Sequence, residues 1–129
     1  MLRWRPMPSE TLLYCLTRDR ELADALEGRL ATTLSFFYND AARLHQAIAL
    51  RPPDLAVVDA GAVRREYGDA GLSPIVAFLR SEAPGARVAV RPIHGAEWLV
   101  AAEAGEQIEM LPAEADACVA AVAALCEPA

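Results

Sequence analysis

The stretch that decides the fold is PPDLAVVDAG, residues 52–61. Leu55 to Val58 is a short apolar run without polar alternation, as expected for a strand buried on both faces of a parallel sheet. The run ends on an acid, Asp59, with Gly61 close behind it. In open parallel sheets the ligand crevice lies at the carboxyl ends of the strands. The sequence therefore predicts that Asp59 stands at the functional edge of a sheet.

Strand and helix candidates alternate on both sides of this run. The segment 19–30 has Leu22 and Leu26 on one stripe and Asp19 as a plausible N-cap, which predicts an amphipathic helix. Segments of this alternating kind predict a doubly wound α/β fold with helices on both faces of a parallel sheet. The other predicted strands are 11–16, 33–39, 87–90 and 107–111, and the other predicted helices are 40–50, 72–83, 95–105 and 114–126.

Several local features follow from the same patterns. The polar stretch AGAVRREYGDAG, residues 60–71, predicts a long loop after Asp59. Ser73 and Pro74 predict the cap and first position of the next helix. The aromatic run Phe36-Phe37-Tyr38 predicts strand residues packed under helices. His45 is expected on the exposed side of the second helix.

Composition limits the function classes. The chain has 129 residues, which predicts one domain, 11–126, preceded by an arm or linker at 1–10. A net charge of −6 argues against nucleic-acid binding, and the absence of lysine excludes a Walker-type phosphate loop. No apolar segment approaches the roughly 20 residues of a membrane span. Three cysteines without a C-x-x-C pair predict a reducing, cytoplasmic location.

The pattern over 11–126 resembles the receiver domain of bacterial response regulators. The stretch PDLAVVDAG resembles the third-strand motif of that family, in which Asp59 takes the phosphoacceptor position. TRDREL, residues 17–22, resembles the acidic turn into the first helix, and EMLP, residues 109–112, resembles the fifth strand. The resemblance implies a flavodoxin-like sheet with strand order 2-1-3-4-5.

The acidic pocket of the family is degenerate in this chain. The resemblance implies a Mg²⁺ ion held between the phosphoacceptor and an acidic pair, but those positions contain Thr17 and Arg18. Asp19 is acidic but falls one step later, at the helix cap. Mg²⁺ requires hard oxygen ligands, and an arginine beside the site repels it. The sequence therefore predicts no metal and no cofactor.

Three further family positions are also replaced. Arg91 or Pro92 stands where the family has Ser or Thr, Ala113 is nearest to the phosphate-pairing lysine position, and Met110 replaces the aromatic switch residue. We therefore expect a pseudo-receiver, in which Asp59 is inactive as a phosphoacceptor. Because Arg18 and Arg91 leave strands next to that of Asp59, we hypothesise an Asp59–Arg pair in place of the metal.

The leading functional hypothesis is a non-enzymatic signalling module that binds a protein partner or a second copy of itself. In the family, such contacts use the face formed by the fourth helix, fifth strand and last helix. Here that face is rich in small apolar residues, although the tryptophan on it is equally compatible with packing on the sheet. The candidate interface residues are Trp98, Ala102, Met110, Cys118 and Val122.

Two alternatives remain open at this level. The first is a Mg²⁺-dependent receiver that accepts a phosphoryl group on Asp59. The second is a small-molecule sensor whose crevice, with Arg91, His94 and Ala113, binds an anion. A metabolic enzyme is the least favoured class, because the chain has neither a G-x-S-x-G elbow nor a dinucleotide glycine motif.

Overall fold

The computed structural model describes residues 11–30, 33–68, 72–95 and 108–126. Its centre is an all-parallel five-stranded sheet with the order β2-β1-β3-β4-β5, which confirms the predicted doubly wound, flavodoxin-like class. The strands are β1 (Leu12–Leu16), β2 (Leu34–Tyr38), β3 (Leu55–Asp59), β4 (Arg87–Arg91) and β5 (Glu109–Met110). The described helices are α1 (Arg20–Arg29), α2 (Ala41–Leu50), α3 (Ala60–Tyr67), α4 (Leu72–Glu82) and α5 (Ala115–Cys126).

Strand β1 divides the core between the two faces of the sheet. Leu13 and Cys15 are fully buried in a cluster with residues of α1 and α5. Leu12, Tyr14 and Leu16 are buried in a second cluster with residues of α2, α3 and α4. Because both faces are covered, every residue of β1 is apolar, and the strand shows none of the period-2 alternation of a half-exposed sheet.

Aspartate N-caps start the first two helices, as the sequence predicts for Asp19. The Asp19 carboxylate accepts a hydrogen bond from the backbone N–H of Leu22, at 3.1 Å. The Asp40 carboxylate accepts one from the backbone N–H of Arg43, at 2.8 Å. Because both strands end at the same edge of a parallel sheet, both helices begin there as well.

The loop predicted for residues 60–71 is wrong over its first part, which is helix α3. The carboxylate of Asp59 accepts a hydrogen bond from the N–H of Gly61, at 3.2 Å, and caps the helix directly at the strand end. The helix buries Ala62 and Val63 and ends at Gly68, whose φ of 81° favours glycine. The polar residues between these positions lie mostly on its outer side, which is why they resemble a loop in sequence.

Other local predictions also need correction. Ser73 is not a cap, because α4 already begins at Leu72. Phe36 is 48% exposed, because β2 is an edge strand that the helices cover only in part. His45 is half-buried and stacks on Phe78 of α4, with ring centroids 3.9 Å apart.

The predicted interface on the last helix is wrong for two of its residues. Cys118 and Val122 are fully buried in the cluster between α5 and the sheet, so they support the core and are unavailable to a partner. Met110 is 44% exposed on β5, which has two residues where the sequence predicts five. Trp98 and Ala102, like the predicted arm 1–10, lie outside the described residues.

Within the described ranges, no helix is long and apolar enough to cross a membrane.

Candidate functional site

Strands that are neighbours in the sheet bring four polar side chains together at its carboxyl edge. Thr17 and Asp19 follow β1, Asp59 ends β3, and Arg91 ends β4 directly beside Asp59 in the sheet register. The main chain of Ala113, which follows β5, completes the group. We call these five residues the strand-tip cluster.

The guanidinium of Arg91 is the centre of the strand-tip cluster. Its Nε donates a hydrogen bond to the carbonyl oxygen of Ala113 at 2.9 Å. Its Nη1 lies 3.0 Å from Oδ2 of Asp19 and 3.5 Å from Oδ2 of Asp59, forming an ion pair with each carboxylate. The side chains of Arg91 and Asp59 are 14% and 11% exposed, so their pair is shielded from bulk water, whereas Asp19 is 35% exposed. One arginine therefore connects the ends of β1, β3, β4 and β5.

Both carboxylate oxygens of Asp59 have protein partners. Oδ2 accepts a hydrogen bond from the hydroxyl of Thr17 at 2.7 Å, and Oδ1 accepts the α3 capping bond from Gly61. The hydroxyl oxygen of Thr17 accepts in turn from the backbone N–H of Asp19 at 3.0 Å. With its side chain 11% exposed, Asp59 is a buried acid that is fully hydrogen-bonded.

These contacts set the charge state of the cluster. The hydrogen bond from Arg91, followed by that from the N–H of Leu22, holds the pKa of Asp19 below its usual value. Burial lowers the pKa of Arg91, but the hydrogen bond to Asp19 and the charge of Asp59 outweigh this effect and raise it overall. Both shifts favour the charged forms, so Asp19 and Arg91 form a carboxylate–guanidinium ion pair at neutral pH.

The thiols beneath the cluster are not nucleophiles. Burial raises the pKa of the Cys118 thiol to about 11, and the charge of Arg91 offsets only part of that increase. Burial also raises the pKa of Cys15, which is fully enclosed. Because the thiolate is the reactive form of cysteine, both side chains are inert at neutral pH.

The depressed pKa of Asp19 predicts a pH dependence of stability. A carboxyl whose pKa is lower in the folded state stabilises the fold above its unfolded pKa, and that contribution disappears as the pH falls through the folded pKa. We therefore expect the stability advantage of the wild type over Asp19→Asn to shrink as the pH falls below about 4. Asparagine is also a good N-cap, so this variant removes the charge and retains the cap.

Urea unfolding of both proteins across this pH range measures the effect. A constant difference between the two at all pH values would show that the Asp19 charge does not stabilise the fold.

The donor set of the cluster does not fit a Mg²⁺ ion. Its two carboxylates, from Asp19 and Asp59, face the same guanidinium nitrogen, and a metal there would lie against a permanent positive charge. The hydroxyl of Thr17 donates a hydrogen bond to the Asp59 carboxylate and accepts one from the backbone N–H of Asp19. Across the described ranges, no group of three or more His, Cys, Asp or Glu side chains is arranged to hold a metal.

The other predicted crevice residues have separate positions. Nε of Arg18 donates to the carbonyl oxygen of Asn39 at 3.1 Å, at the end of β2. The hypothesised Asp59–Arg pair is therefore formed by Arg91, and Arg18 bonds elsewhere. His94 is exposed in the turn after β4. Pro92, the next residue after Arg91, is buried and has no side-chain polar group for the cluster.

An open groove of about 820 Å³ lies beside the cluster, between α1 and the ends of β1 and β2. Arginines and acids both line it, so its charge does not favour an anion over a cation. The charged residues of the lining are Arg18, Asp19, Arg20, Asp24, Glu27, Asp40 and Arg43.

Two contacts of the site are missing from the sequence-based prediction. The carbonyl oxygen of Ala113 is a partner of Arg91, although the sequence analysis considers only the side chain at that position. Glu66 of α3 accepts a hydrogen bond from the N–H of Ala41, the first residue of α2, at 3.1 Å. The sequence predicts a loop over residues 60–71, which gives no position for the Glu66 side chain. The signal for the Arg91–Asp19 pair was present, since both residues follow strands at the same edge.

Comparison with known proteins gives no relative. No protein-family model matches the chain, and neither a curated protein nor a solved structure matches it significantly. The function is therefore inferred from the fold and from the strand-tip cluster.

Proposed function

We propose that the chain is a pseudo-receiver, a receiver-like domain that acts as a signalling or protein-interaction module without phosphorylation. The observation that carries the proposal is the position of Arg91, paired with both Asp19 and Asp59 at the carboxyl edge of a sheet with order 2-1-3-4-5. An internal cation stands where a phosphoacceptor site needs a metal ion.

The chemistry of phosphoryl transfer supports this proposal. Transfer to a carboxylate requires a free oxygen as the nucleophile and positive charge that neutralises the phosphoryl oxygens in the transition state. In Asp59 one oxygen is held by Thr17 and Arg91 and the other caps α3. A phosphoryl donor would have to break these bonds before it could react. We therefore assign the domain no enzymatic activity.

The proposed partner is a protein, bound without nucleic acid or membrane. The chain carries a net negative charge, which disfavours nucleic acid. Of the interface residues predicted from the sequence, Met110 is the described residue with an exposed side chain. The described cysteines Cys15, Cys118 and Cys126 are unpaired, which supports a reducing, cytoplasmic compartment.

An amide NMR titration tests the proposal. We expect no saturable shifts when millimolar Mg²⁺ is added, or when beryllofluoride, a mimic of the phosphoryl group, follows. Both ligands need the space and the carboxylate oxygens that Arg91 occupies. Shifts that saturate at residues 17–19, 59 and 91 would refute the proposal and support the alternative, a Mg²⁺-dependent phosphoacceptor using Asp59.

A further inference from the structure

The edge strand β2 presents unpaired backbone groups to one side. Among the described strands it pairs only with β1. The N–H of Leu34 donates to Thr11 and the carbonyl oxygen of Tyr38 accepts from Thr17, so both residues direct their backbone groups toward β1. Neighbouring residues of a strand direct these groups to opposite sides, so the N–H and C=O groups of Ser35 and Phe37 point away from β1.

The same edge carries exposed apolar side chains. Leu34 is 42% exposed and Phe36 is 48% exposed, and Leu50, at the end of the helix that packs on β2, is 89% exposed. These are three of the five exposed large hydrophobic side chains in the described part of the chain; the other two are Tyr67 and Met110. An apolar row next to unpaired backbone groups is the surface that an added strand covers.

The edge also lacks the features that usually prevent strand pairing. Proteins protect edge strands with charged side chains, prolines or bulges. Residues 30–39 contain neither a charged residue nor a proline, and all five residues of β2 pair in unbroken register with β1. The strand is therefore regular in its pairing and neutral, and no described strand covers its outer edge.

We propose that β2 is a docking edge for a second copy of this chain, joined in an antiparallel β2–β2 pair centred on Phe36. This register pairs Ser35 with the partner's Phe37 and Phe37 with the partner's Ser35. Each pair exchanges two backbone hydrogen bonds, so all the outward-facing groups of the two residues are satisfied. The two Phe36 side chains then oppose each other in a non-hydrogen-bonded pair, where side chains lie closest.

Symmetry favours a second copy over an unrelated strand. The net charge of −6 opposes the association of two copies in general, but residues 34–38 carry no charge, so a contact at this edge places no like charges of β2 together. A two-fold axis through Phe36 also satisfies the same groups on both copies at once, as an isologous interface requires. This inference names the partner of the proposed interaction module and rests on the proposed function to that extent. The dimer itself is argued from β2 alone.

The contact is small, which sets the expected affinity. Stable interfaces bury about 800 Å² per partner, and a pair of five-residue edges with a few apolar side chains falls below that area. We therefore expect a dimer that dissociates in the micromolar range.

Sedimentation velocity of the full chain at rising concentration tests the dimer. The decisive variant is Ser35→Pro, which removes an outward N–H and leaves the hydrogen bonds to β1 intact. We expect at least a tenfold weaker dimer for Ser35→Pro and for Phe36→Glu, which places two like charges on the axis. The matched control is Ser35→Ala, which keeps the N–H and should dimerise as the wild type does. Circular dichroism verifies that each variant is folded.

Amide hydrogen exchange gives a second, residue-specific measurement. We expect the protection of Ser35 and Phe37 to increase with protein concentration, while that of Leu34 and Phe36 stays constant. A chain that is monomeric at several hundred micromolar would overturn the proposal, as would a dimer unaffected by Ser35→Pro. Strong protection of Ser35 and Phe37 in a monomer would also overturn it, and would indicate that another part of the chain covers the edge. None of these results depends on Mg²⁺ binding, so failure of the dimer and failure of the proposed function are distinguishable.

Discussion

Replacing Arg91 with methionine should lower the free energy of unfolding by about 3 kcal/mol, the lower end of the range for breaking a buried ion pair. Methionine fills a similar volume, so the main loss is the positive charge and its hydrogen bonds. Asp19 and Asp59 would then face each other without a cation, and the carbonyl oxygen of Ala113 would lose its donor. The lower end applies because Asp19 remains partly open to solvent.

Urea unfolding of the wild type and of Arg91→Met measures this effect. The matched control is Arg87→Met, at the opposite end of the same strand, where the arginine pairs with Glu109 on the surface. Exposed pairs contribute little, so we expect this control to lose less than about 1 kcal/mol. Adding Asp59→Asn to Arg91→Met should recover part of the loss, because it removes one of the two facing charges. Equal losses for Arg91→Met and Arg87→Met would mean that the strand-tip cluster adds no more stability than a surface ion pair.

The second large effect tests whether Arg91 excludes a metal ion from the strand-tip cluster. The double substitution Thr17→Asp with Arg91→Thr should create a Mg²⁺ response that the wild type lacks. It removes the guanidinium and adds a third carboxylate beside those of Asp19 and Asp59, which gives hard oxygen donors for the ion. In the receiver family that the sequence resembles, Ser or Thr stands at the position of Arg91 or Pro92. The Arg91→Thr substitution therefore also supplies a hydroxyl at the end of β4.

The stability of the double variant should rise with Mg²⁺ concentration. A ligand at ten times its dissociation constant stabilises the folded state by about 1.4 kcal/mol. The control is Arg91→Thr alone, which has two carboxylates and should respond more weakly. If the repulsion among its three carboxylates keeps the double variant unfolded, the measurement is whether added Mg²⁺ induces folding. Equal responses of the wild type and the double variant would show that Arg91 does not exclude the metal.

The fold was predictable because the core residues form clear patterns. β1 is apolar throughout and β3 is apolar up to Val58, and the Leu22–Leu26 and Leu44–Ile48 spacings give the helices that pack on the sheet. Helix α3 was missed because its outer residues include Arg64, Arg65 and Glu66, so that its sequence resembles a polar loop. Asp59 at the end of β3 is the N-cap of this helix. In the sequence, Asp59 is interpreted as a functional acid and not as a helix cap.

The site was predictable only to the level of the sheet edge. Parallel strands bring Asp59 and Arg91 together, and the sequence supports that expectation. Which arginine pairs with Asp59 depends on side-chain direction, and Arg18 bonds to Asn39 instead. The exposed position of Phe36 was also not foreseeable, because an aromatic run indicates a strand but does not distinguish a central strand from an edge.

The capping role of Asp59 also affects how such sequences should be interpreted. An aspartate at the end of the third strand starts a helix, accepts a hydrogen bond from a neighbouring strand end and pairs with an arginine. Each of these contacts favours the acid for folding alone, without any phosphate chemistry. An aspartate in this position is therefore insufficient to identify a phosphoacceptor, and the side chain at the end of the fourth strand is the better discriminator. A small hydroxyl there leaves room for a metal ion, whereas an arginine occupies that room.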